Sequence, residues 1–274
     1  MLNRAAVLGL PVSHSLSPAL HNAGYAAAGL DASWQYTAVD CAEGELAAIV
    51  ESLDETWRGL SLTMPLKEVA LTVADRVDPL ARALGAANTL VRDANTLVRD
   101  ADGWTAYNTD APGITDALRR AGAQRMDRMA ILGGGGTARA AIGAAADLGA
   151  EVTLYVRRPE AGEDLRPVAH ALGVPMTVET WGRAADAATY DVVISTVPKG
   201  GADALAVAAW TAPTVVFDVV YDPWPTPLAE AARRAGCPIV SGLDLLLAQG
   251  VRQFELFTGV PAPVEAMRAA LQNR

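Results

Sequence analysis

Met129 to Ala146, MAILGGGGTARAAIGAAA, is the stretch that decides how this chain folds. A short apolar run, Met129 to Leu132, meets four consecutive glycines, Gly133 to Gly136. An alanine-rich segment follows, with Ala140, Ala141, Ala144, Ala145 and Leu148 at helical spacing. The pattern reads as strand, tight turn, helix. Gly133, Gly135 and Ala138 fit the spacing G-x-G-x-x-[G/A]. In such a turn the first glycine permits the bend, the second lets backbone approach a pyrophosphate, and a small third residue lets helix pack on strand. The first helical N–H groups then face an anion. Glycine-rich turns also arise for steric reasons alone, so the residues downstream have to discriminate.

Glu151 to Val156, EVTLYV, reads as the second strand of the unit, with Gly149 closing the helix before it. The end of this strand selects the adenosine ribose. An acidic residue there binds the free ribose hydroxyls, whereas arginine accommodates a 2′-phosphate. Arg157 and Arg158 stand at that place and Glu151 lies at the wrong end of the strand. The reading is NADP(H), with ordinary solvated surface arginines as its alternative.

At 274 residues, about two domains are expected. Hydrophobic residues at 51% and charged ones at 19% describe a globular chain rather than a disordered one. A net charge of −9 argues against nucleic-acid or anionic-membrane partners, which require clustered Lys and Arg. Any anionic ligand must therefore be met locally. Cys41 and Cys237 are too few and too far apart for a zinc site or disulfide framework, and read as buried thiols of a reducing compartment. The histidines His14, His21 and His170 have no ligand-spaced partners, so no metal is expected. No apolar run approaches a membrane span. The opening AAVLGLPV breaks at Pro11 without a cleavage pattern, so it reads as a first strand and the protein as cytoplasmic.

In chain order, Ala5 to Leu10 is a strand followed by the polar turn Pro11 to Pro18, with Ser17 as helix cap and Pro18 in the first turn. Capping explains Ser17 but not Ser13, His14 and Ser15 gathered at the mouth of the same strand. Trp34 to Val39 is a second strand, Glu43 to Leu53 a helix, and Gly59 to Leu62 a third strand. That strand runs into Thr63-Met64-Pro65-Leu66-Lys67-Glu68, where Pro65 suits the first turn of a helix. Lys67 on local grounds is a surface charge or a strand-end functional group. Asp78 and Pro79 begin a helix ending at Gly85.

Residues 87–93 read ANTLVRD, and residues 94–100 read ANTLVRD again. Asp102-Gly103 supplies a turn signal and Trp104 to Tyr107 a returning strand, so the repeat falls in a hairpin. A shift of seven residues turns every strand side chain to the other face, so only one copy can hold the native register. Helices are expected over Pro112 to Arg120 and Glu160 to Leu172. Val174 to Val178, Asp191 to Val197, Thr214 to Val220 and Cys237 to Val240 complete six strands of a doubly wound sheet. Two further helices, Asp244 to Thr258 and Pro263 to Gln272, exceed what that sheet needs.

Together these motifs resemble the shikimate dehydrogenase family over nearly the whole chain. The segments that carry the likeness are Ser13-His14-Ser15-Leu16-Ser17-Pro18, Leu62-Thr63-Met64-Pro65-Leu66-Lys67-Glu68, Gly85-Ala86-Ala87-Asn88-Thr89 and Tyr107-Asn108-Thr109-Asp110. The glycine-rich turn, Tyr221-Asp222-Pro223 with Thr226-Pro227, and Gly242-Leu243 with Ala248-Gln249 complete the series. The resemblance implies an α/β protein with an N-terminal substrate domain, residues 1–111, built on a mainly parallel sheet. A doubly wound Rossmann-type NADP-binding domain, residues 112–242, and C-terminal helices returning to the first domain, residues 243–274, would follow. It implies reversible NADPH-dependent reduction of 3-dehydroshikimate to shikimate in aromatic amino acid biosynthesis, with a monomer or homodimer as the working form.

By matching position, Lys67 and Asp110 would be catalytic, and Ser15, Ser17, Thr63, Asn88, Tyr221 and Gln249 would meet substrate. Gly133, Gly134, Gly135, Gly136, Thr137, Ala138, Arg157, Arg158 and Gly242 would hold the cofactor. The chain departs from the family's pattern at Ser61, commonly asparagine, at Ala111, commonly glycine, and at Val156-Arg157-Arg158, usually Asn-Arg-Thr. The repeat offers Asn95 as an alternative to Asn88. Two other functions remain in view: a quinate/shikimate dehydrogenase using NAD, and a non-catalytic NADP-binding regulator of the same fold.

Overall fold

A computed structural model describes residues 2–92, 103–123 and 126–272. The chain divides into two units, Met1–Thr109 with Leu246–Arg274, and Asp110–Leu245. In the first unit the elements run β1 (Asn3–Gly9), α1 (Ser17–Ala27), β2 (Trp34–Asp40), α2 (Leu46–Ser52) and β3 (Trp57–Leu62). They continue with α3 (Ala70–Val73), β4 (Arg76–Val77), α4 (Pro79–Leu84), β5 (Thr89–Arg92) and β6 (Trp104–Tyr107). The strands form one sheet in the order β2-β1-β3-β5-β6-β4. β1 lies parallel to β2 and β3, and β4 to β6, while β5 is antiparallel to both its neighbours. Ala5 to Leu8 are buried on both faces of β1, as a strand covered on both sides requires.

Local chemistry sets several boundaries in this unit. Asp78 caps α4 by accepting from Leu80 N at 2.9 Å, and Gly85 ends the helix at φ +63°. Two expectations differ from what is observed. Leu16, not Ser17, occupies the cap of α1, and Ser17 is the first helical residue with no side-chain cap. Its hydroxyl sits in a buried polar cluster instead. Pro65 starts no helix: residues 63–69 form successive turns and helix begins only at Ala70. Backbone bonds to β1 hold this loop, Thr63 N to Leu8 O at 2.9 Å and Leu10 N to Met64 O at 3.0 Å, and they compete with helical pairing. Asn95 and Asp102 fall outside the described residues, as does most of the connection between β5 and β6.

The second unit begins with α5 (Asp110–Arg120), then β7 (Arg128–Leu132), α6 (Gly136–Leu148), β8 (Glu151–Val156), α7 (Pro159–Glu163), α8 (Arg166–Ala171) and β9 (Met176–Thr180). It continues through β10 (Val192–Ser195), β11 (Val215–Asp218), α9 (Pro227–Arg234) and β12 (Ile239–Ser241) into α10 (Gly242–Thr258), which α11 (Val264–Gln272) follows. Its sheet is wholly parallel, in the order β12-β11-β10-β7-β8-β9. Counted from β7 as first strand, this is the doubly wound order 3-2-1-4-5-6, which reverses between β7 and β10. Met129 to Leu132, Val192 to Ile194 and Val215 to Phe217 are almost wholly buried, giving the central strands their continuous apolar runs.

The single helix expected over Glu160 to Leu172 is two. Pro167 lacks the N–H that a helix interior needs, so the chain breaks and restarts with the proline in a first turn. The strand expected at Val174 begins two residues later, after Gly173 at φ +67° and Pro175. From Leu246 onward α10 and α11 belong to the first unit, where α11 packs on α1. Glycines allow the close approach. A Cβ on Gly250 would overlap Leu20, one on Gly24 would press on Phe254 at 3.0 Å, and one on Gly59 in β3 would overlap the Phe257 ring. Among the described residues no helix is long and apolar enough to cross a membrane.

Candidate active site

In the first unit, β1, β2 and β3 run parallel and end together, with Gly9 opposite Asp40 and Leu8 opposite Leu62. The loops leaving those ends carry Ser15, Ser17, Thr63 and Lys67. Asp40 Oδ1 accepts from Val12 N at 2.9 Å, and Ser15 N then donates to Val12 O at 3.0 Å. Ser15 Oγ accepts from Ser17 N at 3.3 Å, which places the two serines at the start of α1. Thr63 lies over Gly9, whose missing Cβ makes room for the threonine methyl. Lys67 is half-buried, and its carbonyl accepts from Ala87 N at 2.7 Å. The segment bearing Lys67 is thereby tied one residue ahead of Asn88.

Asn88 is the most constrained of the expected site residues, at 2% exposure. Its Oδ1 accepts from Thr109 N at 2.8 Å and from Thr89 Oγ1 at 3.0 Å. Its Nδ2 donates to Thr109 Oγ1 at 2.9 Å and to Gln249 Oε1 at 3.4 Å. Gln249 in turn donates through Nε2 to Leu246 O at 2.9 Å. Asn88 and Gln249, 161 residues apart, therefore meet side chain to side chain. Asp110 is buried and opens α5 in the second unit.

The glycine-rich turn of the second unit sits where strand order reverses, the crevice in which open α/β sheets bind ligands. Gly133 has φ +105°, a left-handed conformation that favours glycine, and a Cβ there would meet Thr196 Oγ1 at 2.8 Å and Val197 at 2.9 Å. A Cβ on Gly134 would meet Ala161 at 2.9 Å. Gly135 differs. It caps α6 in extended backbone, and a Cβ on it would touch no protein atom, so only an approaching ligand would be obstructed there. Gly136 and Thr137 start the helix, and Ala138 is fully buried where a larger side chain would push helix off strand. Arg157 and Arg158 are exposed at the end of β8, and neither pairs with a carboxylate among the described residues. The cradle and the two guanidinium groups fit a dinucleotide bearing a 2′-phosphate.

Tyr221 and Gly242 are neighbours. A Cβ on Gly242 would overlap Val219 O and approach the Tyr221 ring at 3.1 Å. The loop between β11 and α9 is anchored from its other side by Asp218, which accepts from Thr226 Oγ1 at 2.8 Å and Val220 N at 3.2 Å. Burial pushes the Asp218 carboxyl above its ordinary range, and those hydrogen bonds offset part of the rise.

The comparisons point to one family. Residues 7–90 match the model described as shikimate dehydrogenase substrate binding domain, and residues 242–272 match the shikimate 5'-dehydrogenase C-terminal domain. A curated relative from Moorella thermoacetica, called shikimate dehydrogenase (NADP(+)), is 37% identical over 98% of this chain and 92% of its own length. The chain belongs to the shikimate dehydrogenase family. Among solved structures, the shikimate dehydrogenase of Mycobacterium tuberculosis superposes with a TM-score of 0.87 at 40% identity, covering 98% of both chains. The shikimate 5-dehydrogenase of Thermus thermophilus, solved in complex with NADP(H) and shikimate, gives 0.83 at 30% identity and 99% of both.

Set among shikimate dehydrogenases, the site also holds residues that sequence reading passed over. Gln253 is buried on α10, one helical turn beyond Gln249, and a second glutamine on the same helix face was the available signal. Tyr36 carried no signal, since an aromatic residue in a strand reads as core. His21 was noted only for lacking a metal-ligand partner. It is fully buried, stacked on Tyr36 at 4.2 Å with the rings 2° from parallel. Neither imidazole nitrogen has a hydrogen-bond partner among the described residues. Burial pushes its pKa down to about 3, with the nearby Gln253 side chain opposing in part.

Proposed function

We propose that this chain catalyses the reversible NADP(H)-dependent interconversion of 3-dehydroshikimate and shikimate. The observation that carries the reading is the end-to-end match to relatives called shikimate dehydrogenase (NADP(+)), in a chain that has Arg157 and Arg158 where cofactor choice is made. The first unit would hold substrate and the second cofactor. The cofactor supplies or accepts the hydride; the protein must move a proton to or from the hydroxyl oxygen of the carbon being reduced or oxidised.

Lys67 is the residue for that proton, because an ammonium both donates and steadies developing alkoxide charge. Asp110 would orient Lys67 and bind a substrate hydroxyl. Ser15, Ser17, Thr63, Asn88 and Gln249 would meet the remaining hydroxyls and the carboxylate, with Tyr221 lining the pocket. Hydroxyl and amide side chains suit a small polyhydroxy acid, since they satisfy it with directional bonds.

Asn88 rather than Asn95 fits this role. Ala86, just ahead of the first heptad copy, is 1% exposed, and a seven-residue slip would put Asp93 in that apolar place.

The test is the initial rate at 340 nm with shikimate or quinate and NADP⁺ or NAD⁺, in all four combinations, for wild type and Lys67→Ala. Activity confined to shikimate with NADP⁺ is expected, and Lys67→Ala should lower kcat by about 10²–10⁴-fold with a much smaller change in KM. Equal turnover of quinate with NAD⁺, or near-normal kcat in the variant, would overturn the assignment.

A further inference from the structure

A buried run of side-chain hydrogen bonds enters the Asn88 cluster from behind, through residues given no role so far. Tyr36 OH donates to Ser61 Oγ at 2.6 Å, and Ser61 Oγ donates to Gln253 Oε1 at 2.7 Å. Gln253 Nε2 donates to Thr89 Oγ1 at 2.9 Å and to Asn88 O at 3.3 Å. Thr89 Oγ1 then donates to Asn88 Oδ1. Every member is buried, Tyr36 at 2%, Ser61 at 4%, Thr89 at 0% and Gln253 at 1% exposure. At its far end Tyr36 also engages the Ser17 side chain. Four elements supply the links: β2, β3 and β5 the hydroxyls, α10 the amide.

The run has one direction. Asn88 O can only accept, so the Gln253 amide must turn its NH₂ toward Asn88 and Thr89 and offer Oε1 to the Ser61 proton. Thr89 Oγ1, having accepted, gives its proton to Asn88 Oδ1, which already accepts from Thr109 N. Asn88 Oδ1 is thereby filled by two donors; Nδ2 keeps one proton on Thr109 Oγ1, and the other, in the long 3.4 Å contact to Gln249 Oε1, is the one an accepting oxygen can take over. A flipped Asn88 would set its NH₂ against the Thr109 N–H and strip the Thr89 hydroxyl of its acceptor, a desolvated clash in a low-dielectric interior.

We propose that Ser61 and Gln253 are positioning residues that fix which way the Asn88 side-chain amide faces, making it a dedicated donor toward an accepting oxygen of the substrate. This rests on the proposed activity for the word substrate, but the orientation of Asn88 does not. Ser61 stands where the family commonly has asparagine, and its hydroxyl is the link that carries the run from Tyr36 to Gln253 Oε1.

The experiment is side-chain amide NMR of the full chain, with the Asn88 NH₂ pair assigned by its loss in Asn88→Asp. Ser61→Ala cuts the run at its centre, and Tyr36→Phe, losing one oxygen, cuts it at its start with little risk to folding. Both should shift the Asn88 NH₂ resonances and speed their exchange with solvent, Ser61→Ala the more. In turnover, one broken hydrogen bond should raise the shikimate KM about three- to tenfold, with kcat and the NADP⁺ KM within about twofold. Asn88 resonances unmoved in both variants would overturn the proposal. An inactive wild type would defeat the proposed activity instead, while the NMR result would still decide the orientation of Asn88.

Discussion

His21 gives a pH dependence of stability that can be worked through. Its pKa in the fold is about 3, against 6.5 for an ordinary histidine, so it stays neutral in the folded protein while the unfolded chain takes up a proton below pH 6.5. The sign follows. Stability from this residue is complete above pH 6.5 and is lost as pH falls toward 3, because the unfolded state binds the additional proton. The slope approaches about 1.4 kcal/mol per pH unit below 6.5, and between pH 7.5 and 5.5 the loss comes to about 1.4 kcal/mol.

His21→Phe isolates this term. Phenylalanine keeps the stacked ring against Tyr36 and removes two nitrogens that have no hydrogen-bond partner among the described residues. Urea unfolding of both proteins at pH 7.5 and 5.5 gives a difference of differences in which carboxylates common to both cancel. Wild type should lose about 1.4 kcal/mol more than the variant over that interval. Parallel losses would mean that His21 is protonated in the fold, and the reasoning from burial would be wrong. The groups facing it are the Tyr25, Tyr36, Phe254 and Phe257 rings and the neutral Gln253 amide, and none of these is a carboxylate that could hold a charged imidazole.

Three other outcomes are expected. Gly59→Ala should destabilise the first unit by about 1–3 kcal/mol through the overlap with the Phe257 ring, and Phe257→Leu in the same chain should return much of it; additive losses in denaturant titrations would speak against the contact. Arg157→Ala with Arg158→Ala should cut kcat/KM for NADP⁺ by about 10–100-fold while NAD⁺ moves little, as expected for lost charge-assisted bonds; equal losses with both cofactors would remove the arginines from 2′-phosphate recognition. Asn88→Ala should raise the shikimate KM by at least about tenfold and Asn95→Ala by less than about twofold, and the reverse ranking in steady-state kinetics would assign the site to the second heptad.

Where local chemistry is self-sufficient, the sequence was legible. The glycine-rich turn, Asp78 with Pro79, and Gly149 each specify a boundary through their own backbone needs, and each boundary lies where those needs place it. Errors arose where distant chain competes. Ser17 looks like a helix cap, yet its hydroxyl is drawn into a buried cluster that β2 completes. Pro65 looks like a helix start, yet bonds to β1 hold the loop open. The helix over Glu160 to Leu172 was misread for a local reason, the proline at position 167. In the site, motif residues could be named individually, but the meeting of Asn88 with Gln249 and Gln253 is a product of tertiary folding that no window of sequence contains.

The return of α10 and α11 to the first unit has a consequence for synthesis. Residues 1–109 leave the ribosome before the second unit, but the side chains that close over α1 and β3, Phe254, Phe257 and Met267 among them, are made after it. At about 5–20 residues per second, roughly 8–33 s separate Thr109 from Arg274. The second unit, continuous in sequence, is complete at Leu245 and can fold within that interval. The unit that starts first therefore finishes last, with the apolar faces of Leu20, Tyr25 and Tyr36 uncovered while it waits. A chain cut short after Leu245 keeps its glycine-rich unit intact and loses the surfaces that seal the other.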